Sequence, residues 1–160
     1  MTGNKMAMTP AEKELNRFAR MLDKFRELTI QSCKKRTAQV FQKLVRLKAM
    51  DENGKVKCVS CPTEGDYRQF DAGHFIPRRH NATLFDFRNC HPQCRNCNHH
   101  LSGNLAAYRV FMETEYGLGT VCELELLQFS EKQFTREELV GLRIEFMDEV
   151  KHLTEQDNLL

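Results

Sequence analysis

Apolar residues recur at helical spacing over residues 10–50. Leu15, Phe18, Leu22 and Phe25 lie three or four apart, and after a polar stretch Val40, Phe41, Leu44, Val45 and Leu47 resume the stripe. Thr9-Pro10 has the form of a helix start, with Thr at the cap and Pro in the first turn. No Gly or Pro intervenes before Gly54, so one continuous helix would run roughly 60 Å. The polar run at residues 29–37 is weak in helix propensity, and two helices satisfy the pattern equally well. Residues 51–54 (DENG) form a turn. Beyond it, residues 55–59 and 67–76 read as short strands flanking a loop, and residues 77–88 as a basic loop. Residues 98–115 turn helical and stop at Gly117, and residues 120–127 make a short helix. Thr135-x-x-Glu138 has capping-box form. It opens a last amphipathic helix with Leu139, Leu142, Phe146, Val150 and Leu153 on one side.

Length and composition narrow the class. A chain of 160 residues with 41% hydrophobic and 29% charged positions suits one domain, or a small domain with helical arms. Eight Gly and four Pro argue against collagen-like and low-complexity chains and against a turn-rich β-sandwich. The apolar runs are too short to span a membrane. Residues 1–9 lack an apolar signal core, so the expected location is inside the cell. The net charge of +2 hides a gradient of +7 over residues 10–50, +4 over 55–109 and −8 over 110–160. A basic front suggests a polyanionic partner. Equally, the basic and acidic helices could pair with each other.

Seven cysteines in a reducing compartment suggest metal before disulfides. Cys58 and Cys61 form one C-x2-C pair, Cys94 and Cys97 another, and four thiolates make a tetrahedral structural Zn²⁺ site. The gap between the pairs is 32 residues, longer than the roughly 15–20 of a zinc ribbon, so the frame houses something extra. Cys90 is a competing ligand through its spacing to Cys94, while Cys33 and Cys122 read as core packing. A C-x2-C redox protein would need a βαβ pattern that is missing here.

Inside that frame lie His74 on a strand ending in Ile-Pro, Asn89 just before the second pair and Asn98 just after it. Together they resemble the HNH (ββα-metal) nuclease motif in the variant whose third member is Asn. The further segments DAGH at 71–74, RNCHPQC at 88–94, CN at 97–98, LSGN at 101–104 and YR at 108–109 resemble the NinG/Rap recombination nucleases of lambdoid bacteriophages. The likeness runs from about residue 58 into the acidic C-terminal helices and is weaker over residues 1–50. It implies an endonuclease acting on branched recombination intermediates such as Holliday junctions and D-loops. It also implies a setting in the bacterial host's cytoplasm, with other phage recombination proteins as further partners.

On that resemblance His74 is the general base, since imidazole titrates near neutral pH. Asn89 bonds backbone and orients His74, and Asn98 holds a metal ion or a phosphate. A catalytic Mg²⁺ or Mn²⁺ wants oxygen ligands, yet Gly73 stands where many HNH enzymes carry Asp or His. Asp71 is the nearest acid. On a regular strand it faces away from His74, unless a bulge at Gly73 brings them together; a turn or ion-pair role for Asp71 stays open. His91 is the other expected ligand, on the RN-x-H-x-QC pattern. His99 and His100 are phosphate contacts or helix-surface residues. Arg78, Arg79, Arg88, Arg95 and Arg109 crowd the same stretch and suit sequence-independent phosphate contacts.

The expected architecture is α+β: a treble-clef-like ββα-metal (HNH) zinc core over residues 55–117, between a basic helical region (1–54) and acidic C-terminal helices (118–160). Two symmetric cuts across a four-way junction suggest a homodimer, with the Leu15–Phe25 stripe and the opposite charges of the two ends as its means. The alternative is a catalytically inactive zinc module that binds DNA or a partner protein.

Overall fold

The computed structural model describes residues 7–157; residues 1–6, part of the stretch read for a signal core, lie outside them. Residues 7–48 contain two helices, α1 (Pro10–Arg26) and α2 (Ile30–Lys48). Each start is set by a threonine. Thr9 accepts from the Glu12 amide and its own amide donates to the Glu12 carboxylate, a complete capping box. Thr29 accepts from the Ser32 amide at 3.2 Å, so the weak polar run holds a cap rather than a continuation. Arg136 closes the junction by donating to the carbonyls of Phe25 and Leu28.

The stripe on α1 is used within the chain. Phe18, Leu22 and Phe25 pack with Cys33 against Leu139, Val140 and Ile144 of α4 (Arg136–Asp157), leaving Leu15 69% exposed. Further along, Phe41, Leu44 and Val45 of α2 meet Phe146 of α4. Arg17–Asp148 and Lys48–Glu149 join the basic and acidic ends. The charge gradient is thus met in part by pairing inside one chain.

Strands β1 (Lys55–Lys57) and β2 (Glu64–Asp66) form a small antiparallel ribbon. The strand expected at residues 67–76 is shorter, because Asp66 caps a 3₁₀ turn at Tyr67–Gln69 and β3 is only Phe70–His74. It pairs antiparallel with β4 (Cys90–Cys94), from Phe70↔Cys94 to His74↔Cys90, without a break. There is no bulge at Gly73. Alternation gives the hairpin two working faces. Ala72 and Cys90 pack on α2 and α4. On the reverse face the Gly73 carbonyl accepts from Tyr108 of α3 (Leu105–Leu127). This helix is interrupted at Gly117, where φ is 78°, matching the expected stop. It begins seven residues later than expected at Asn98, for reasons given below. Thr135 and Glu138 cap α4 reciprocally. No helix among the described residues is long and apolar enough to cross a membrane.

Gly73 has a steric role. A Cβ there would run into the side chain of Gln93, its diagonal neighbour on the same face of the hairpin. Gln93 is fully buried and donates to Ser60 Oγ and the Gly103 carbonyl, both at 2.7 Å. Gly73→Ala should therefore cost about 1–3 kcal/mol, as overpacked cores do, and lower the thermal midpoint by several degrees. An unchanged melting curve would show that Gln93 moves aside freely.

Candidate metal centre and hairpin site

The two C-x2-C turns bring Cys58, Cys61, Cys94 and Cys97 together with all four sulfurs within 4.8 Å of one another. Cys61 and Cys94 sulfurs are 3.7 Å apart, close to the roughly 3.8 Å edge of a tetrahedron with Zn–S bonds near 2.3 Å. Donors already point at the sulfurs: the Cys94 amide at Cys58, the Cys97 amide at Cys94 and the Asn104 amide group at Cys97. The Thr63 hydroxyl beside Cys61 holds that thiol down at about 6, whereas burial pushes Cys58 up to about 12. The donor set and its geometry fit Zn²⁺, which would draw all four into the thiolate form. Four sulfurs fill a tetrahedron and leave no position for water, so such a site is structural.

Cys90 stands apart from this cluster, packed between α2 and α4. Cys33 is core, as expected, with its thiol on the Phe25 carbonyl. Cys122 is not; it is exposed on the outer side of α3, because Val121 and Leu124 take the buried positions there.

After Cys94 the chain makes one wide turn at Asn96–His100, closed by the Leu101 amide on the Asn96 carbonyl. Ser102, Gly103 and Asn104 then adopt positive φ, which ends the turn and delays α3. The LSGN segment therefore closes the knuckle: Gly103 bonds Cys97 and Gln93, and Asn104 bonds Cys97 and the Ser60 carbonyl.

Asn89 is fully buried and makes three side-chain bonds to backbone. Its Oδ1 accepts from the Ile76 amide at 2.7 Å, and its Nδ2 donates to the Ile76 and Thr83 carbonyls at 3.0 Å. It brackets both ends of the loop after β3. The next residue, Leu84, presents its carbonyl to His74 Nε2 at 3.1 Å. A carbonyl only accepts, so Nε2 carries the proton and Nδ1 keeps the lone pair, 3.6 Å from the Cys90 sulfur. Burial lowers the His74 imidazole to about 4, keeping it neutral.

Asp71 lies elsewhere. Its carboxylate accepts from Asn98 Nδ2 at 3.2 Å and faces His99 Nε2 at 2.9 Å. The wide turn thus unites Asp71 and Asn98 and adds His99. The unbroken register turns Asp71 to the opposite face from His74. His91 does not join either group. Its Nδ1 meets the Tyr108 hydroxyl at 2.9 Å and its Nε2 the Tyr116 hydroxyl at 2.8 Å. With Tyr108 donating to Gly73, His91 donates from Nδ1 and accepts at Nε2, and both ring nitrogens are committed to packing α3 on the hairpin. Gln93, Asn104 and Tyr108 stood in the quoted segments without a role and Tyr116 was not singled out, because each acts through bonds to residues ten or more positions away or to a sulfur, which no spacing announces.

The five arginines divide. Arg88 is held by Asp86 and Glu123, and Arg109 by Glu113 and Glu125, so these four carboxylates neutralise them. Arg78, Arg79 and Arg95 are exposed with no such carboxylate partner among the described residues.

The fold and the site define an α+β protein with small antiparallel ribbons, helices on both hairpin faces and a cluster of four cysteines that could hold a metal ion. The family model described as "Bacteriophage Lambda NinG protein" matches residues 5–156, and the chain belongs to that family. It is 34% identical over 113 residues to "Protein ninG" of Salmonella phage P22 and to that of Escherichia phage lambda, covering 70% of this chain. Those residues are 55% and 54% of the two relatives; the chain spans about half the length of the curated relatives it matches. "Protein ninG" of Enterobacteria phage H19B is 38% identical over 85 residues, 52% of this chain and 42% of that protein. No solved structure matches.

Proposed function

We propose that this chain is an HNH-type endonuclease cutting branched DNA, such as Holliday junctions and D-loops, around a structural zinc. The observation that carries the reading is the His74 arrangement: Asn89 staples the loop that fixes His74 through the Leu84 carbonyl, leaving Nδ1 as acceptor. A neutral imidazole with one nitrogen anchored can take a proton from water. The resulting hydroxide would attack phosphorus and the bond to the 3′-oxygen would break, that oxygen taking a proton from solvent, to leave 5′-phosphate and 3′-hydroxyl ends. A bound Mg²⁺ or Mn²⁺ would neutralise charge on the phosphate and leaving oxygen. Asp71, Asn98 and His99 are the donors the chain offers for it. Arg78, Arg79 and Arg95 would hold phosphates, and a homodimer would supply two symmetric cuts. Its contact would lie elsewhere than the α1 stripe, which α4 already covers.

One observation favours a second reading. Asp71, Asn98 and His99 lie across the strand from His74, as they would in a zinc module that binds DNA without cutting it. Incubating the purified chain with linear, forked and four-way DNA, with and without Mg²⁺ or Mn²⁺, separates the two. Metal-dependent cleavage that prefers branched substrates is the expected result. Binding without cleavage under every metal would replace the nuclease by the silent module.

A further inference from the structure

The start of α2 and the loop after β3 enclose a cleft of about 490 Å³. Lys34 and Lys35 line one side, Arg78 and Arg79 the other, with Ala38 and Leu84 also in its lining. Ser32 and Lys35 are shared with a second hollow, lined also by Arg36 and Arg143. The two together make one basic trough over α2. No carboxylate lines either hollow, whereas Arg17, Lys48, Arg88 and Arg109 each meet an acid elsewhere.

The trough is built rather than incidental. Lys34 donates to Asn81 at 2.9 Å, tying helix to loop and fixing the width of the cleft. Arg143 crosses from α4 to the Arg36 carbonyl. Burial and the neighbouring Arg36 charge both lower the Arg143 guanidinium from its ordinary value. Like charges held together without a counter-ion are at odds with each other until an anion arrives. One lining residue, Leu84, links the trough to His74, whose Nε2 donates to the Leu84 carbonyl.

We propose that this trough holds the phosphodiester backbone of a DNA strand, with Arg78 and Arg79 nearest His74 and Lys35, Arg36 and Arg143 carrying the strand away across α2. The inference rests on the reading of the chain as DNA-acting, and it assigns α2 to the substrate surface together with the loop. A repeating anion suits it better than a single phosphate, because six cations are spread over two hollows rather than converging on one point.

The test measures binding of a fluorescent four-way DNA in EDTA, where no cleavage can occur. The variants are Lys35→Glu/Arg36→Glu and Arg78→Glu/Arg79→Glu, all four side chains being exposed. The charge-matched control is Lys13→Glu/Lys57→Glu, also exposed and outside the trough. Each trough variant should bind at least about tenfold more weakly, with the slope of log K against log salt reduced by about 0.9 for each phosphate no longer neutralised. The control should stay within about threefold of wild type, its similar net charge notwithstanding. Zinc content and thermal midpoint confirm that each variant is folded. Trough variants that bind like wild type, a control that weakens equally, or a wild-type protein that binds no DNA each overturn the trough. Lost binding in the trough variants of a protein that never cuts would keep the trough and remove the nuclease. Cleavage that survives in trough variants with undiminished binding would do the reverse.

Discussion

Replacing Cys58 with alanine should leave the chain without zinc and with the β1–β4 region unfolded. The buried cluster around the two cysteine turns is small, made of Val56, Cys58, Phe70 and Cys97, so two of its four members are themselves ligands. Structural zinc is worth roughly 10–16 kcal/mol in small peptides, more than such a cluster supplies. The damage should be mildest where α1 meets α4, because the cluster of Phe25, Cys33, Phe134, Leu139, Val140 and Ile144 takes only Leu84 and, at its edge, Phe85 from that region. The measurements are zinc per chain by elemental analysis, near one for wild type, and circular dichroism with and without a chelator. Cys58→Ala should lose the metal and part of its ordered signal. Cys90→Ala is the discriminating partner: that thiol packs on α2 and should leave zinc stoichiometry unchanged. Folded, zinc-free wild-type protein would remove the metal centre, and zinc lost from Cys90→Ala would redraw its ligand set.

The four-cysteine cluster was legible because its chemistry is local. Each C-x2-C pair delivers two sulfurs from one tight turn, and only the meeting of the turns required the fold. The helices were legible by periodicity, but the break between α1 and α2 was not, because the polar run at 29–37 suits one helix or two until Thr29 is seen capping the second. Strand β4 was not, because CHPQC carries Pro, two polar side chains and the marks of a knuckle, while its register depends on a partner sixteen or more residues away. The roles of Asp71 and His91 were equally hidden. A side chain's face follows from whether the strand is regular at Gly73, which only its register with β4 shows. Asp71 consequently meets Asn98 and His99, and His91 meets two tyrosines. The arginines could be counted in the sequence, but which of them keep a free charge depends on where the acidic segment folds back.

Cleavage by the wild-type chain should fall by about 10²–10⁴ in His74→Ala, the range for losing a general base, while affinity for DNA measured in EDTA stays within about twofold. The two readouts separate because a base acts in the transition state, whereas the cations of the trough act on bound substrate. The substitution also removes the donor to the Leu84 carbonyl, an expected cost of about 1–3 kcal/mol; zinc content and a thermal melt keep that effect apart from chemistry. The acid limb supplies a second check. His74 works only as the neutral base, and burial lowers its pKa to about 4, with Arg78 nearby and Cys90 across the strand. Its rate contribution should therefore be complete above about pH 5 and decline only as pH falls through 4, not through the roughly 6.5 of an exposed imidazole. Asn89→Ala should share the defect through the loop, losing rate because the Leu84 carbonyl is no longer held against His74. Wild-type rates in His74→Ala would end its role as the base, and a rate that halves near pH 6.5 would mean that the imidazole works exposed to water.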